Sequence, residues 1–204
     1  MKKKSKSSYH HGNLRESILE ASHQYIRKFG VESLSLREIA KILGVTHSAP
    51  NKHFPKKEIL LAALVEDGFH MFRSFLENTG IEMETNPREA FIRMGLGYIQ
   101  FANENPELYR LMFSNVFEHP ENYPEMGKAG FEAFNVLHES VKFLQSKGVI
   151  RKGDSLELSY LIWSLVHGYV LLSQEGRLKH ASGVNVNQEE TLRSLLSLLM
   201  DGIR

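Results

Sequence analysis

Hydrophobic residues recur every three or four positions almost throughout this chain, which is the spacing of α-helices with one buried face. The first stripe consists of residues at spacings of four and three: Leu14, Ile18, Ser22, Tyr25 and Phe29. It stops at Gly30, a residue type that often closes a helix in the left-handed conformation. The pattern predicts a first helix over about residues 13–29.

Short helices are predicted next. Ser35 can cap a second helix, with Glu38 three residues later completing a capping box, and the helix is expected to stop at Gly44. Thr46 or His47 opens a third helix. This helix must hold Pro50 in its first turn, because a proline deeper inside would break it.

Helices also account for the rest of the chain. A long fourth helix is predicted over about residues 55–79. Asn86 and Asn105, each followed by proline, combine a cap with a favourable first helical residue. The later helices are predicted over about residues 87–104, 106–117, 125–147, 155–175 and 187–203. Loops are expected at 119–124 and 176–186. With no alternating β pattern, the expected fold is all-α, with about nine helices.

Charge divides the chain into two parts. Residues 1–60 carry 12 Lys and Arg against 5 Asp and Glu, a net +7, whereas residues 61–204 carry 13 against 19, a net −6. A small basic part joined to a larger acidic one is typical of a polyanion-binding module attached to a domain that does not contact the polyanion. Residues 1–12 are expected to form a flexible basic arm whose lysines either follow DNA or keep the chain soluble.

Several classes of site are excluded by composition and motif. The 204 residues include no cysteine, which excludes disulfides, thiolate metal sites and a cysteine nucleophile. A His-Glu-x-x-His pair, a glycine-rich phosphate loop and a nucleophile elbow are also absent from the sequence. We therefore expect no catalytic residues, no metal and no cofactor. A small helical enzyme that uses His and carboxylates stays open as an alternative.

A membrane partner is not expected either. The most apolar stretch, residues 161–172, is about twelve residues long and contains Ser, His and Gly, which makes it too short and too polar to span a bilayer. The lysine-rich start has no apolar segment behind it, so a secretory signal is not expected. Membrane association through this arm would need an amphipathic segment that the arm lacks. The cytoplasm is the expected compartment.

The second and third predicted helices have the pattern of a helix-turn-helix. Ala40 is small where two helices must approach closely, and Gly44 permits the positive φ of a tight turn. Leu36, Ile39 and Val45 can bury the corner. Many unrelated helical hairpins share this pattern, so it does not identify a function by itself.

The following segment is more specific. Residues 44–60, Gly-Val-Thr-His-Ser-Ala-Pro-Asn-Lys-His-Phe-Pro-Lys-Lys-Glu-Ile-Leu, resemble the DNA-binding domain of the tetracycline-repressor (TetR) family of bacterial transcription regulators. Residues 9–15 and the Trp-x3-His-Gly motif at 163–168 resemble a subgroup of that family. The resemblance is detailed over residues 10–65, and beyond them it rests on length and helix order.

The resemblance implies that the third helix enters the major groove of an operator and that the next segment holds backbone phosphates. The residues expected to contact bases or phosphates are Ser35, Arg37, Thr46, His47, Ser48, Ala49, Asn51, Lys52, His53 and Lys57. Phe54 is expected in the core. The family usually has Tyr where this chain has Asn51, but Asn can donate to a phosphate or pair with adenine. DNA binding is therefore expected, with the operator preference left open.

The resemblance also implies a second domain, residues 59–204, that binds a small apolar or amphipathic effector and dimerises, after a helix-turn-helix domain at 13–58. The candidate pocket residues are Phe91, Met94, Tyr98, Phe101, Tyr109, Met112, Phe113, Phe131, Phe134, Trp163 and His167. Such aromatic stripes equally suit a core, and His167 equally suits a hydrogen-bonded core position. Gly95, Gly97 and Gly130 favour a pocket, because helical glycines leave room for a ligand.

Self-association has a separate basis in the sequence. The predicted helix at 155–175 is apolar on all sides, so it must be buried all round. With the Leu-rich helix at 187–203 it predicts a homodimer interface of four helices. A two-fold axis would place two recognition helices about 34–36 Å apart on a pseudo-palindromic, double-stranded operator. We expect a nucleoid-associated bacterial repressor released by an effector. A ligand-independent or architectural DNA-binding factor is the alternative.

Overall fold

A computed structural model describes residues 14–185 and 187–203, and these ranges contain α-helices and one 3₁₀ turn without strands. The α-helices are α1 Leu14–Phe29, α2 Leu36–Leu43, α3 Ser48–Asn51, α4 Lys57–Thr79, α5 Pro87–Glu104, α6 Pro106–Met112, α7 Pro124–Ser146, α8 Ser155–Gln174, α9 Arg177–Ser182 and α10 Gln188–Gly202. The 3₁₀ turn is Pro120–Asn122. The all-α prediction is confirmed. The predicted basic arm, and residues 9–13 of the subgroup motif, lie outside the described residues.

Local capping explains why the helices begin and end where they do. The Ser35 hydroxyl accepts a hydrogen bond from the Glu38 amide at 3.2 Å, as the capping box predicts. Gly44 ends α2 with φ +66°, a conformation that is strained for other residues. Asp154 and Asn187 cap α8 and α10 by accepting amide hydrogen bonds in the first turn.

Three sequence-based predictions about the helices need correction. Residues 176–186 are not only a loop, because α9 forms between Gly176 and Gly183, both left-handed, and raises the α-helices in the described ranges to ten. The helix predicted to reach residue 117 ends at Met112, where the Ser114 hydroxyl donates to the Leu111 carbonyl. Asn105 occupies the N-cap position of α6 before Pro106, as predicted, but its side chain makes no cap hydrogen bond and instead donates back to the Phe101 carbonyl.

The described chain forms two compact units, which meet within α4 between Val65 and Glu66. The first unit contains α1, α2, α3 and the start of α4. Its core consists of large, fully buried side chains: Ile18, Ile26, Leu34, Ile39, Phe54, Leu60 and Leu64. In the second unit, α5 is central and packs against α6, α7, α8 and α10. Both units therefore bury apolar helix faces of their own.

Within the single chain, helix α8 is buried on one side, so the expected burial of its other side by a second copy stays a prediction. Its buried face includes Leu158, Ile162, Val166 and Val170. Large apolar side chains on its other side are 38–50% exposed: Leu156, Tyr160, Leu161 and Leu172. Over the described residues, the main packing partners of α8 are α5, α7, α9 and α10, and they cover its buried side.

By length and composition, the whole of α8 is long and apolar enough to cross a membrane. Residues 161–172 alone are too short and too polar to span a bilayer, whereas the complete helix Ser155–Gln174 is long enough and apolar enough. Its packing against α5, α7 and α10 accounts for the apolar character of the buried side, as in the core helix of a folded domain.

Candidate DNA-binding surface and effector cavity

The α2–α3 corner is held by backbone hydrogen bonds and by a small buried residue. The Gly44 amide donates to the Lys41 carbonyl at 3.2 Å, and the Val45 amide donates to the Ala40 carbonyl at 3.0 Å. Ala40 itself is fully buried, and both α2 and α3 pack against α1. These contacts fix the direction in which α3 leaves the turn.

Most of the predicted DNA contacts lie on one exposed segment around α3. The exposed residues are Arg37, Thr46, His47, Ser48, Asn51, Lys52 and His53, and the half-buried ones are Ser35, Ala49 and Lys57. Pro50 and Phe54 are buried and anchor the segment to the unit, which confirms Phe54 as a core residue. The polar residues of α3 are therefore held on a rigid base and accessible to a large ligand such as DNA.

Two of the predicted contacts also have structural roles. Ser35 is the N-cap of α2. The Lys57 ammonium donates to the carbonyls of Val31 and Glu32, at 3.2 and 3.1 Å, and so ties the start of α4 to the loop after α1. A lysine has three N–H donors, so one remains for a phosphate.

The second unit contains a partly open apolar cavity of about 290 Å³. Its wall is formed by side chains from α4, α5, α7, α8 and α10, together with Phe113. The residues contributed by α4 are Phe69, Phe72 and Leu76. Except for the Tyr98 hydroxyl and the Trp163 indole nitrogen, the lining side chains are hydrocarbon or thioether. A cavity of this kind suits an apolar molecule.

A polar cluster lies at the wall of this cavity. The Tyr98 hydroxyl lies 2.9 Å from His167 Nδ1, and the Tyr109 hydroxyl lies 2.7 Å from the same nitrogen. Tyr109 also donates to Tyr98 Oη at 3.1 Å, and Trp163 Nε1 donates to it at 3.3 Å. Burial raises the pKa of Tyr98 to about 12, raises that of Tyr109 and lowers the pKa of His167. The cluster is therefore uncharged at neutral pH.

Comparison with known proteins decides the family. Residues 18–64 match the family described as "Bacterial regulatory proteins, tetR family", and residues 91–199 match the "Tetracyclin repressor-like, C-terminal domain". This chain belongs to the TetR family of transcriptional regulators. The resemblance seen in the sequence is thereby confirmed, whereas the subgroup suggested by the Trp-x3-His-Gly motif stays a prediction.

Individual relatives agree with this assignment. The "Uncharacterized HTH-type transcriptional regulator YvkB" of Bacillus subtilis is 24% identical over 186 residues, which cover 83% of this chain and 93% of YvkB. A Rhodococcus protein of unknown function is 30% identical with a TM-score of 0.85, covering 97% of this chain and 99% of its own. The TetR-family regulator PfmR from Thermus thermophilus shares the fold, at 20% identity and a TM-score of 0.66 over 92% of this chain and 98% of PfmR.

Family membership settles the class of function. TetR-family regulators are DNA-binding proteins without catalytic activity, so this protein is a DNA-binding transcriptional regulator and the enzyme alternative is excluded. Members of the family bind operators as dimers. They are soluble DNA-binding proteins, which places this TetR-family regulator in the cytoplasm.

The cavity includes only part of the predicted pocket of this TetR-family protein. Phe91, Met94, Tyr98, Phe113, Phe134 and Trp163 line it. Phe101, Tyr109 and Met112 lie in the core instead, and His167 is half-buried, with Nδ1 within hydrogen-bond distance of the Tyr98 and Tyr109 hydroxyls. Phe131 is 66% exposed. Its spacing of three residues from Phe134 predicts that both line the pocket. The side of α7 that lines the cavity consists instead of residues 130, 133, 134 and 137.

Part of the cavity wall is not predicted from the sequence. Apart from Gly95 and Gly130, the lining residues outside the predicted set are Phe69, Phe72, Leu76, Ala133, Leu137, Ile162, Val166 and Leu196. The α4 residues could have been found, since Phe69, Phe72 and Leu76 repeat at spacings of three and four like those of α5. The small and aliphatic residues carry no such signal, because they are equally typical of any core.

The three helical glycines proposed to leave room for a ligand behave differently. Gly95 and Gly130 line the cavity, but Gly97 does not. A Cβ atom at Gly97 would lie 2.6 Å from Thr79 Oγ1, and one at Gly95 would lie 2.5 Å from Leu196 Cδ1. These two glycines permit close packing between helices, which corrects the expectation for Gly97.

Proposed function

We propose that this TetR-family regulator is a homodimeric repressor that occupies a pseudo-palindromic operator and is released from it by a small apolar effector. The observation that carries the effector part is the apolar cavity, because Phe69, Phe72 and Leu76 in its wall belong to α4. This helix begins at Lys57, next to the helix-turn-helix, and continues without interruption to Thr79. A molecule in the cavity thus contacts the helix that leads to the DNA-binding unit.

The exposed segment around α3 supports the proposed DNA contacts. His47, Ser48, Ala49, Asn51 and Lys52 are assigned to base edges, with Ala49 facing a thymine methyl. The residues assigned to phosphates are Ser35, Arg37, Thr46, Lys52, His53 and Lys57. The amino-terminal end of α4 adds a favourable dipole for a phosphate. Asn51 stands where the family usually has Tyr. We assign to Asn51 a base contact that gives this protein an operator preference of its own.

The exposed apolar side of α8 supports dimerisation through α8 and α10. Tyr160 and Leu161 are 50% and 46% exposed, and Leu198 of α10 is 64% exposed. The two helices also pack against each other within the second unit. A second copy related by a two-fold axis would bury these side chains in a four-helix interface and set the spacing of the two α3 helices.

Release of the repressor from DNA requires the effector to bind two conformers of the repressor with different affinities. An effector shifts the equilibrium only if it binds better to a conformer whose α3 helices no longer match successive major grooves. A tenfold loss of operator affinity requires about 1.4 kcal/mol of coupling between cavity and DNA. Because α4 is common to both sites, a small displacement of its cavity-lining part is the proposed route of this coupling.

Fluorescence anisotropy of the purified protein on the DNA that flanks its own gene tests the proposal. Scrambled DNA of equal length is the control, and the titrations are repeated across a salt series. We expect selective binding whose logarithmic affinity falls with salt by about 0.9 per neutralised phosphate. Genome-wide selection of bound fragments covers an operator at another locus. Equal affinity for all fragments in both experiments would contradict a sequence-specific repressor and favour an architectural DNA-binding factor.

A further inference from the structure

We infer that the cavity takes an uncharged, compact, mostly hydrocarbon molecule with a single hydrogen-bond acceptor, and that the indole N–H of Trp163 binds this acceptor. The inference rests on the proposed function, since it names the chemical class of the effector. Three observations support it: the lining residues of the cavity are uncharged, the cavity is small, and Tyr98 has defined hydrogen-bond partners.

The wall contains no partner for a charged group. Its sixteen residues are Phe, Leu, Met, Gly, Ala, Ile, Val, Tyr and Trp, without Lys, Arg, His, Asp or Glu. A carboxylate, phosphate or ammonium buried there would lose its hydration without gaining an ion pair, which costs several kcal/mol even in a relaxed protein. A ligand whose charged group would have to enter this apolar wall is thus disfavoured.

The volume limits the size of the molecule. An apolar cavity of about 150 Å³ in another protein holds benzene. At about 290 Å³, this cavity is nearly twice as large, which suits a bicyclic or cage-like skeleton of roughly ten to twelve non-hydrogen atoms. It lies at the lower end of the range of ligand sites, so a long flexible chain would not be enclosed.

Hydrogen-bond accounting in the cluster identifies Trp163 as the available donor. His167 Nδ1 accepts one phenol proton, and the second phenol proton lies between Tyr98 and Tyr109. These arrangements are those of the tautomer whose ring proton is on Nε2, and in both the Trp163 indole donates to Tyr98 Oη at 3.3 Å, beyond the usual 2.7–3.2 Å of an N–H···O bond. Trp163 and Tyr98 both line the cavity. A ligand acceptor can therefore take the indole hydrogen while Tyr98 keeps its bonds to His167 and Tyr109.

Trp163 is the single tryptophan of the chain, so its fluorescence measures binding directly. The test uses four probes with one carbon cage: 2-adamantanone, adamantane, adamantane-1-carboxylate and 1-aminoadamantane, titrated into the full chain without DNA at pH 7. We expect saturable binding of the ketone, and binding at least tenfold weaker for the carboxylate and the ammonium. Equal or tighter binding of either charged probe, or no saturable binding of the ketone, would overturn the inference.

A variant separates the hydrogen bond from the fit of the cage. In Trp163→Phe, measured by calorimetry, the ketone is expected to lose about tenfold in affinity, while adamantane changes by less than twofold. An equal loss for both probes would show that Trp163 contributes shape alone and would overturn its role as donor. Should this variant not fold, the ranking of the four probes on the unmodified protein still tests the ligand class.

Two further variants locate the bound probe. Ala133→Leu fills the cavity from α7 and is expected to abolish ketone binding. Gly127→Leu adds a larger apolar side chain to the exposed side of the same helix. A Cβ atom at this position would meet no other atom within 4 Å, so the variant is expected to leave binding intact. Ketone binding that survives Ala133→Leu would place the probe elsewhere and contradict the inference.

Operator affinity is measured separately on the same samples, so that the two proposals fail in different ways. A ketone that binds the cavity but leaves operator affinity unchanged contradicts release by this class of ligand and supports the ligand class itself. Absence of ketone binding with intact operator binding overturns the ligand class and leaves the DNA-binding part of the proposed function standing.

Discussion

The hydroxyl of Tyr98 lies 2.9 Å from Nδ1 of His167, a pair that joins α5 to α8 in the second unit. With two phenol hydroxyls next to Nδ1, we assign the neutral tautomer in which Nδ1 accepts a phenol proton and Nε2 carries the ring proton. Burial lowers the pKa of His167 below the ordinary value of 6.5. The neutral ring is therefore part of the folded state, and protonating it opposes folding.

Stability of the second unit is expected to decrease on acidification. Because the pKa of His167 is lower in the folded than in the unfolded chain, its contribution is present above pH 6.5 and is lost as the pH falls through the folded pKa. His167→Gln keeps an acceptor for the phenol and does not titrate. Urea unfolding at pH 7.5 and 5 should show a smaller loss of stability in this variant than in the original protein. An identical pH dependence would contradict the assignment.

Lys52 is expected to contact a phosphate from the exposed end of α3. Lys52→Ala should weaken binding to both operator and scrambled DNA and reduce the salt slope by about one, with an additional loss on the operator from its proposed base contact. Lys152→Ala, an exposed lysine in the second unit, is the matched control and should leave both quantities unchanged. Anisotropy titrations over a salt series measure the slope. A loss confined to the operator would instead indicate that Lys52 contacts a base alone.

Asn51 is expected to contribute to base selection. Asn51→Ala should cost about 1–3 kcal/mol on the operator and much less on scrambled DNA, because a bidentate contact to adenine is lost only where that base is present. The measurement is a competition assay over operator variants with single base-pair changes. The variant should lose its preference at one position in each half-site. A uniform loss over all sequences would assign Asn51 to a phosphate.

Leu161 is expected to lie in the dimer interface. The side chain is 46% exposed in the single chain, so Leu161→Glu should fold normally but not associate. Analytical ultracentrifugation should show monomers, and operator affinity should fall steeply because two half-sites are no longer bound together. Ile81→Glu is the control, since Ile81 is 63% exposed and lies outside α8 and α10. Dimers of Leu161→Glu would contradict the proposed interface.

Gly95 is expected to tolerate no side chain. A Cβ atom there would lie 2.5 Å from Leu196 Cδ1, so Gly95→Ala should destabilise the protein by about 1–3 kcal/mol through overpacking of α5 against α10. Gly127→Ala in α7 meets no atom within 4 Å and should stabilise by up to about 1 kcal/mol, because alanine favours the helix. Denaturant unfolding compares the two. Equal stability of both variants would show that Leu196 adapts without cost.

Helix ends are predictable from the sequence where the capping chemistry is local. Ser35 and Gly44 act as predicted, and Asp154 and Asn187 cap their helices by the same local chemistry, because each one satisfies or closes the backbone within a few residues. Residues 177–182 show the limit of such reasoning. Gly176 and Gly183 predict a loop, but the same conformational freedom lets them flank the short helix α9.

The sequence by itself determined the helical class, the helix-turn-helix and its exposed polar segment, because periodicity, caps and the motif at residues 44–60 depend on neighbours along the chain. Only the tertiary structure decided which apolar side chains form a cavity wall and which form the core. Phe134 and Phe131 are three residues apart on α7, yet one lines the cavity and the other is exposed. A hydrophobic residue gives the same sequence pattern whether it lines a cavity or packs in the core. Which of the two it does depends on how helices distant in sequence pack around it.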